Sequence, residues 1–128
     1  MKPSTLEWVE KAEEDWHVAQ MSYRSRKYPS YDAACFHSQQ CAEKYLKGRL
    51  EEAGITFPKT HDLIKILALV ITVEPLWAAL QPLVAPLTPY AVAYRYPGFT
   101  TTKAVAQAAL KDCGAVRRVV RTALGLPV

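Results

Sequence analysis

Three short stretches of this 128-residue chain gather side chains that could do chemistry. In Gln39-Gln40-Cys41-Ala42-Glu43-Lys44-Tyr45-Leu46-Lys47, the residues Gln40, Glu43, Lys44 and Lys47 fall on neighbouring turns of one helical face. Glu43 and Lys47 have the i, i+4 spacing of a favourable ion pair, and the two lysines are electrostatic candidates for a phosphate. Thr60-His61-Asp62-Leu63 offers an imidazole beside a helix start. Residues 90–97 set Tyr94 and Tyr96 on either side of Arg95, with Tyr90 close by. A guanidinium among aromatic rings can stack on them or grip a phosphate through its planar fork. Each stretch also has a plainer reading: a surface salt bridge, a helix cap and a packed turn.

Other chemistries are excluded by inspection. Gly48, Gly54, Gly98, Gly114 and Gly125 never fall at phosphate-loop or dinucleotide spacing, and neither His-Glu-x-x-His nor Gly-x-Ser-x-Gly occurs. Cys35 and Cys41 would lie about 9 Å apart along a helix, beyond disulfide reach. Without a Cys-x-x-Cys, neither a redox motif nor a zinc ribbon is indicated. His37 and Cys41 share an i, i+4 spacing, but two ligands make a poor metal site. No metal and no cofactor are expected. Glu13-Glu14-Asp15 reads as an acidic run on a solvated helix face.

The elements that must position these residues are helical. Ser4-Thr5-Leu6-Glu7 has the form of a capping box. Leu6, Val9, Ala12, Trp16, Ala19 and Tyr23 then form one apolar stripe, ended by the basic loop at 24–29. Ser30 caps a second, long helix with Asp32 in its first turn, and Gly54 supplies its left-handed stop. Ala34, Cys35, Ser38, Cys41, Ala42, Tyr45, Leu46, Arg49 and Ala53 make its apolar face, leaving Gln39, Gln40, Glu43, Lys44 and Lys47 opposite. A short linker at 55–59 leads to a third helix capped by Thr60, with the β-branched run at 70–73 kept helical. Pro75, Pro82, Pro86, Pro89 and Pro97 predict a kinked or broken helix near 76–85 and another at 89–95, with Thr88 as its cap. Residues 96–98 read as a turn. The last helix is capped within 100–102, carries Val105, Ala108, Ala109, Asp112, Val116, Val119 and Ala123 on one side, and closes at Gly125 and Pro127. Short links make neighbours antiparallel, so the expected fold is all-α: a single-domain, up-and-down four-helix bundle with a proline-broken helical segment before the last helix.

Charge is divided unevenly. Residues 1–64 carry nine basic and ten acidic side chains, residues 65–128 seven and two, giving +4 overall. A basic C-terminal half suits a phosphate-bearing ligand or nucleic acid. It is equally what Arg117, Arg118 and Arg121 produce by answering a helix dipole. No apolar run approaches the roughly 18 residues of a membrane span, and no secretory signal is visible. The expectation is a cytoplasmic protein with no membrane partner.

Taken in order, Trp8…Ala12…Asp15…Ala19, then Phe36-His37-Ser38-Gln39-Gln40-Cys41-Ala42-Glu43-Lys44-Tyr45-Leu46-Lys47, then Lys59-Thr60-His61-Asp62-Leu63, then Tyr94-Arg95-Tyr96-Pro97 resemble the HEPN family, "higher eukaryotes and prokaryotes nucleotide-binding". The resemblance covers about residues 5–122. It implies a bundle like the C-terminal domain of kanamycin nucleotidyltransferase, a homodimer or higher homo-oligomer, and pairing with a separate minimal nucleotidyltransferase. Many such pairs are toxin–antitoxin systems in which the HEPN member is a metal-independent ribonuclease. Catalytic members carry an arginine followed by a histidine after four to six intervening positions. Here Arg95 is followed by Tyr96-Pro97-Gly98-Phe99-Thr100-Thr101-Thr102, and His17, His37 and His61 have no arginine at the matching distance before them. The imidazole for acid–base work is therefore missing from that motif. The resulting expectation is a non-catalytic binding subunit that docks a nucleotidyltransferase and takes a nucleotide or RNA phosphate. Its candidate contacts are Arg95, Tyr94, Tyr96, Lys44, Lys47 and His61. The alternative is a ribonuclease toxin using another catalytic group.

Overall fold

A computed structural model describes residues 1–93 and 96–128. The helices are α1 (Pro3–Arg24), α2 (Tyr31–Ala53), α3 (Leu63–Val70), α4 (Gln81–Val84), α5 (Tyr90–Ala93) and α6 (Lys103–Ala123), with a 3-10 helix (Pro75–Leu80) between α3 and α4. The fold is an all-α bundle, with no strand among the described residues. α2 is its centre, and α1, α3, α5 and α6 all pack on it. Tyr45, Leu46 and Leu50 of α2 are fully buried in one core with Leu63 and Ile66 of α3, Val84 of α4 and Val116 and Val120 of α6.

The ends of α2 follow local chemistry. Ser30 accepts a hydrogen bond from the Ala33 amide, and Gly54 adopts φ 71°, the left-handed stop that a side chain would resist. Gly48 marks where α1 and α2 come closest: a Cβ there would stand 3.3 Å from Trp8 Cβ. That approach accounts for a glycine inside a helix, where it costs about 1 kcal/mol relative to alanine.

Elsewhere the structure corrects the sequence pattern. α1 begins at Pro3 with Lys2 at the N-cap and no side-chain cap, so the Ser4–Glu7 box does not form. Proline at the first helical turn needs no amide partner and starts the helix earlier. Thr5 is consequently inside the helix, buried, with its hydroxyl donating to Glu52 Oε1 at 2.9 Å. The buried stripe of α1 is Thr5, Val9, Ala12, Asp15 and Ala19, while Leu6 is exposed.

α3 is capped by Asp62, whose carboxylate accepts from the Ile64 and Lys65 amides, and not by Thr60, whose hydroxyl accepts from the Asp62 amide. It ends at Val70; the β-branched run beyond it forms a turn, with Thr72 Oγ1 donating to the Leu69 carbonyl. Thr88 donates its hydroxyl back to the Val84 carbonyl. α6 is capped by Thr102 but rotated from its expected stripe: Ala106, Ala109, Cys113, Val116 and Val120 are buried, and Val105 is exposed. Alanines and valines lie on several sides of this helix. What fixes its rotation is Arg117 and Arg121 reaching α1.

Candidate functional site

α1 and α2 meet along a row of three carboxylates, each turned inward and each holding cations from other parts of the chain. Glu13 sits at one point of this row. It accepts from Arg117 Nε at 2.9 Å and Nη2 at 2.6 Å, and from the hydroxyl of fully buried Tyr45. Arg121 Nη1 lies 3.7 Å from the same carboxylate and donates to Tyr45 Oη at 3.0 Å. Burial opposes the Glu13 charge, but Arg117 and Tyr45 outweigh it and hold the carboxyl below its ordinary range. Burial first, and the Glu13 carboxylate second, push the Tyr45 hydroxyl up. Arg117 and Arg121 thus tie α6 to α1, rather than only answering the helix dipole.

Asp15 lies half a turn further. Its Oδ1 is 2.7 Å from His37 Nδ1 and its Oδ2 2.6 Å from Lys44 Nζ. Because a carboxylate only accepts, His37 Nδ1 carries a proton in this contact. Burial again works against the charge, and His37 and Lys44 together bring the Asp15 carboxyl below its usual value. The run at 13–15 is therefore not a solvated face: Glu13 and Asp15 face inward, and only Glu14 is exposed, paired loosely with Lys11. His37 spends Nδ1 on Asp15 and Cys41 is fully buried, so the two do not form a metal pair. Among the described residues no group of three metal-capable side chains occurs.

The third carboxylate, Glu43, is 3 % exposed. Its Oε2 takes Lys47 Nζ at 3.0 Å, and its Oε1 takes His61 Nδ1 at 2.9 Å and Gln39 Nε2 at 3.0 Å. Gln39 also donates to the His61 carbonyl, and Gln40 donates to Gln39 Oε1. The side chains assigned by periodicity to the outer face of α2 are thus partly an inner one: Gln39, Glu43 and Lys47 are buried. Trp8 from α1 and Phe57 from the α2–α3 connection flank Lys47. The two rings meet edge to face at 5.8 Å, and the Lys47 ammonium is 5.8 Å from each ring centre. Glu43 receives one of its three N–H groups.

Beside this ammonium is a cavity of about 500 Å³ lined by Trp8, Lys47, Phe57, Pro58, Lys59 and His61. Its walls are flat and aromatic, its floor and rim cationic. Lys59 is exposed there without an ion pair among the described residues, and His61 is 62 % exposed by side chain. A volume of this order suits a small-molecule ligand.

Of the six sequence candidates, Lys47 and His61 come together on Glu43. Lys44 is engaged by Asp15 instead. Tyr96 is exposed in the turn before α6, where its described bonds are backbone ones to Ala93 and Phe99. Tyr94 and Arg95 lie outside the described residues. The sequence reading missed Trp8, Phe57, Asp15 and His37 as site residues. Its available signal was the pair of acids at 13 and 15 opposite basic residues of a neighbouring helix.

A family model, HEPN domain, matches residues 5–123. Among solved structures the chain is similar to the crystal structure of TT1696 from Thermus thermophilus, at 25% sequence identity and a TM-score of 0.83, over 94% of this chain and 98% of that one. No curated protein matches the sequence.

Proposed function

We propose, on the premise that this chain belongs to the HEPN family, that it is a binding subunit which docks a minimal nucleotidyltransferase and takes a nucleotide. The observation that carries the ligand is the cavity in which Trp8 and Phe57 flank the Lys47 ammonium, with Lys59 and His61 at the rim. A flat aromatic wall accepts a base, and the neighbouring cations accept its phosphate. Arg95, with Tyr94 and Tyr96, remains a second phosphate contact in this reading, without the histidine that cleavage would need. The partner claim follows the family alone and stands or falls on co-purification with a nucleotidyltransferase.

Adenosine 5′-monophosphate is expected to quench tryptophan fluorescence saturably. The quench should vanish in Trp8→Phe, and Lys59→Glu should weaken binding roughly 5–10-fold, as reversal of an exposed charge does. Lys59 has no described partner to lose, so the fold is untouched. Equal affinity in Lys59→Glu would remove the pocket from the proposal.

One observation favours the alternative of RNA cleavage. Asp15 orients His37 through Nδ1 as a carboxylate orients a general base, with Nε2 on the other side of the ring. Metal-independent cleavage by the purified protein, abolished in His37→Gln, would establish it; intact RNA after long incubation supports the binding reading.

A further inference from the structure

The connection from α1 to α2 carries a concentration of positive charge that the bundle does not use. Arg24 ends α1, and Arg26 and Lys27 follow it. All three are exposed, and none has an ion pair among the described residues. The chain has no Asp or Glu between Asp15 and Asp32, a gap of sixteen residues. The two acids that bound this gap are already engaged. Asp15 holds His37 and Lys44, and Asp32 Oδ1 takes the Thr101 amide at 2.8 Å and its hydroxyl at 2.7 Å. Helix-dipole compensation accounts for Arg24 alone, because Arg26 and Lys27 lie beyond the last turn.

Tyr28 follows directly and is 83 % exposed, among the most exposed large apolar side chains of the protein. The turn presenting it is ordered by its own bonds. Ser25 Oγ accepts from the Tyr28 amide at 3.1 Å, and the Ser30 amide donates to the Ser22 carbonyl at 2.9 Å. Pro29 restricts the backbone after the ring. Three unpaired cations and one presented ring are what a single-stranded polynucleotide needs: phosphates meet the charges, and an unpaired base stacks on the tyrosine. A folded duplex hides its bases and would leave the ring without a role.

We infer that the turn from Arg24 to Tyr28 binds single-stranded nucleic acid. The inference goes beyond the proposed function by adding a polynucleotide contact distinct from the mononucleotide cavity. Arg24 lies sixteen positions beyond Trp8 in α1, about 24 Å along the helix.

The test is fluorescence anisotropy with a labelled oligouridylate of about ten nucleotides, titrated at several salt concentrations. Three phosphate contacts give a slope of about −2 in log K against log salt, or roughly an 18-fold loss between about 50 and about 200 mM. Arg26→Glu with Lys27→Glu should bring the slope to about −0.7 and weaken binding at low salt at least about tenfold. Tyr28→Ala should weaken it at least about fivefold with the slope unchanged. All three side chains are exposed, and the Tyr28 bond uses its backbone amide, so melting temperatures should match the wild type. Binding of adenosine monophosphate should be unaffected; if that nucleotide never binds while the oligouridylate does, only the cavity reading falls. The inference is overturned by unchanged affinity in the charge-reversal pair, by a silent Tyr28→Ala, or by binding of phosphatidylserine vesicles without binding of the oligonucleotide.

Discussion

Replacing Glu43 by leucine is expected to destabilise the protein by about 3–5 kcal/mol, the cost of leaving a buried charge unpaired. For a domain of this size that lowers the melting temperature by roughly 10–20 °C. The cation at issue is Lys47, 6 % exposed, whose ammonium has the rings of Trp8 and Phe57 beside it. Gln39 and His61 would lose their acceptor in the same step. The double variant Glu43→Leu/Lys47→Met removes both charges and should recover most of the loss, because well-packed apolar replacements of a buried pair are often neutral. Thermal denaturation of the wild type, the single and the double variant decides it. A single-variant loss under about 1 kcal/mol would mean that Lys47 escapes to solvent and that the pair is no more than a surface one.

Acid should act through the other two carboxylates of the row. Asp15 and Glu13 both have folded-state values below their ordinary ones, so each contributes stability that is present above the unfolded value, near pH 4, and lost as pH falls through the lower folded value. The wild type should therefore hold its stability down to about pH 4 and lose it steeply below. Asp15→Asn removes the charge accepting from His37 and Lys44, at a cost near pH 7 of about 2 kcal/mol, discounted because both partners keep some solvent. The decisive measurement is the urea midpoint of wild type and variant across pH. Their gap should close as pH drops below about 4. A gap independent of pH would place the effect in packing instead of charge.

Local chemistry was legible where a residue acts on its own neighbours. Ser30 capping α2, Gly54 stopping it and the proline-broken stretch before α6 each depend on a few adjacent positions, and the HEPN pattern ordered them into a bundle. The apolar stripe of α1 was legible at Val9, Ala12 and Ala19, but its buried polar members Thr5 and Asp15 and the rotation of α6 were not. These depend on partners far along the chain: Thr5 on Glu52, Glu13 on Arg117, Asp15 on Lys44. Apolar periodicity cannot foresee that a threonine or an aspartate will be buried because a distant residue satisfies it. Glu43 and Lys47 were found as a pair and misplaced as a surface one, since the lid over them includes Phe57, from a segment read only as a linker. Lys47 and His61 were read in separate clusters, and what brings them together is the Glu43 carboxylate, which accepts from both.

The cavity beside Lys47 exists only while three stretches of chain are assembled: Trp8 from the first helix, Lys47 from the second, and Phe57 to His61 from the bend that follows. Whatever settles there bridges all three, so recognition and cohesion are thermodynamically linked. A ligand held there would stabilise the assembled arrangement in proportion to its affinity for it.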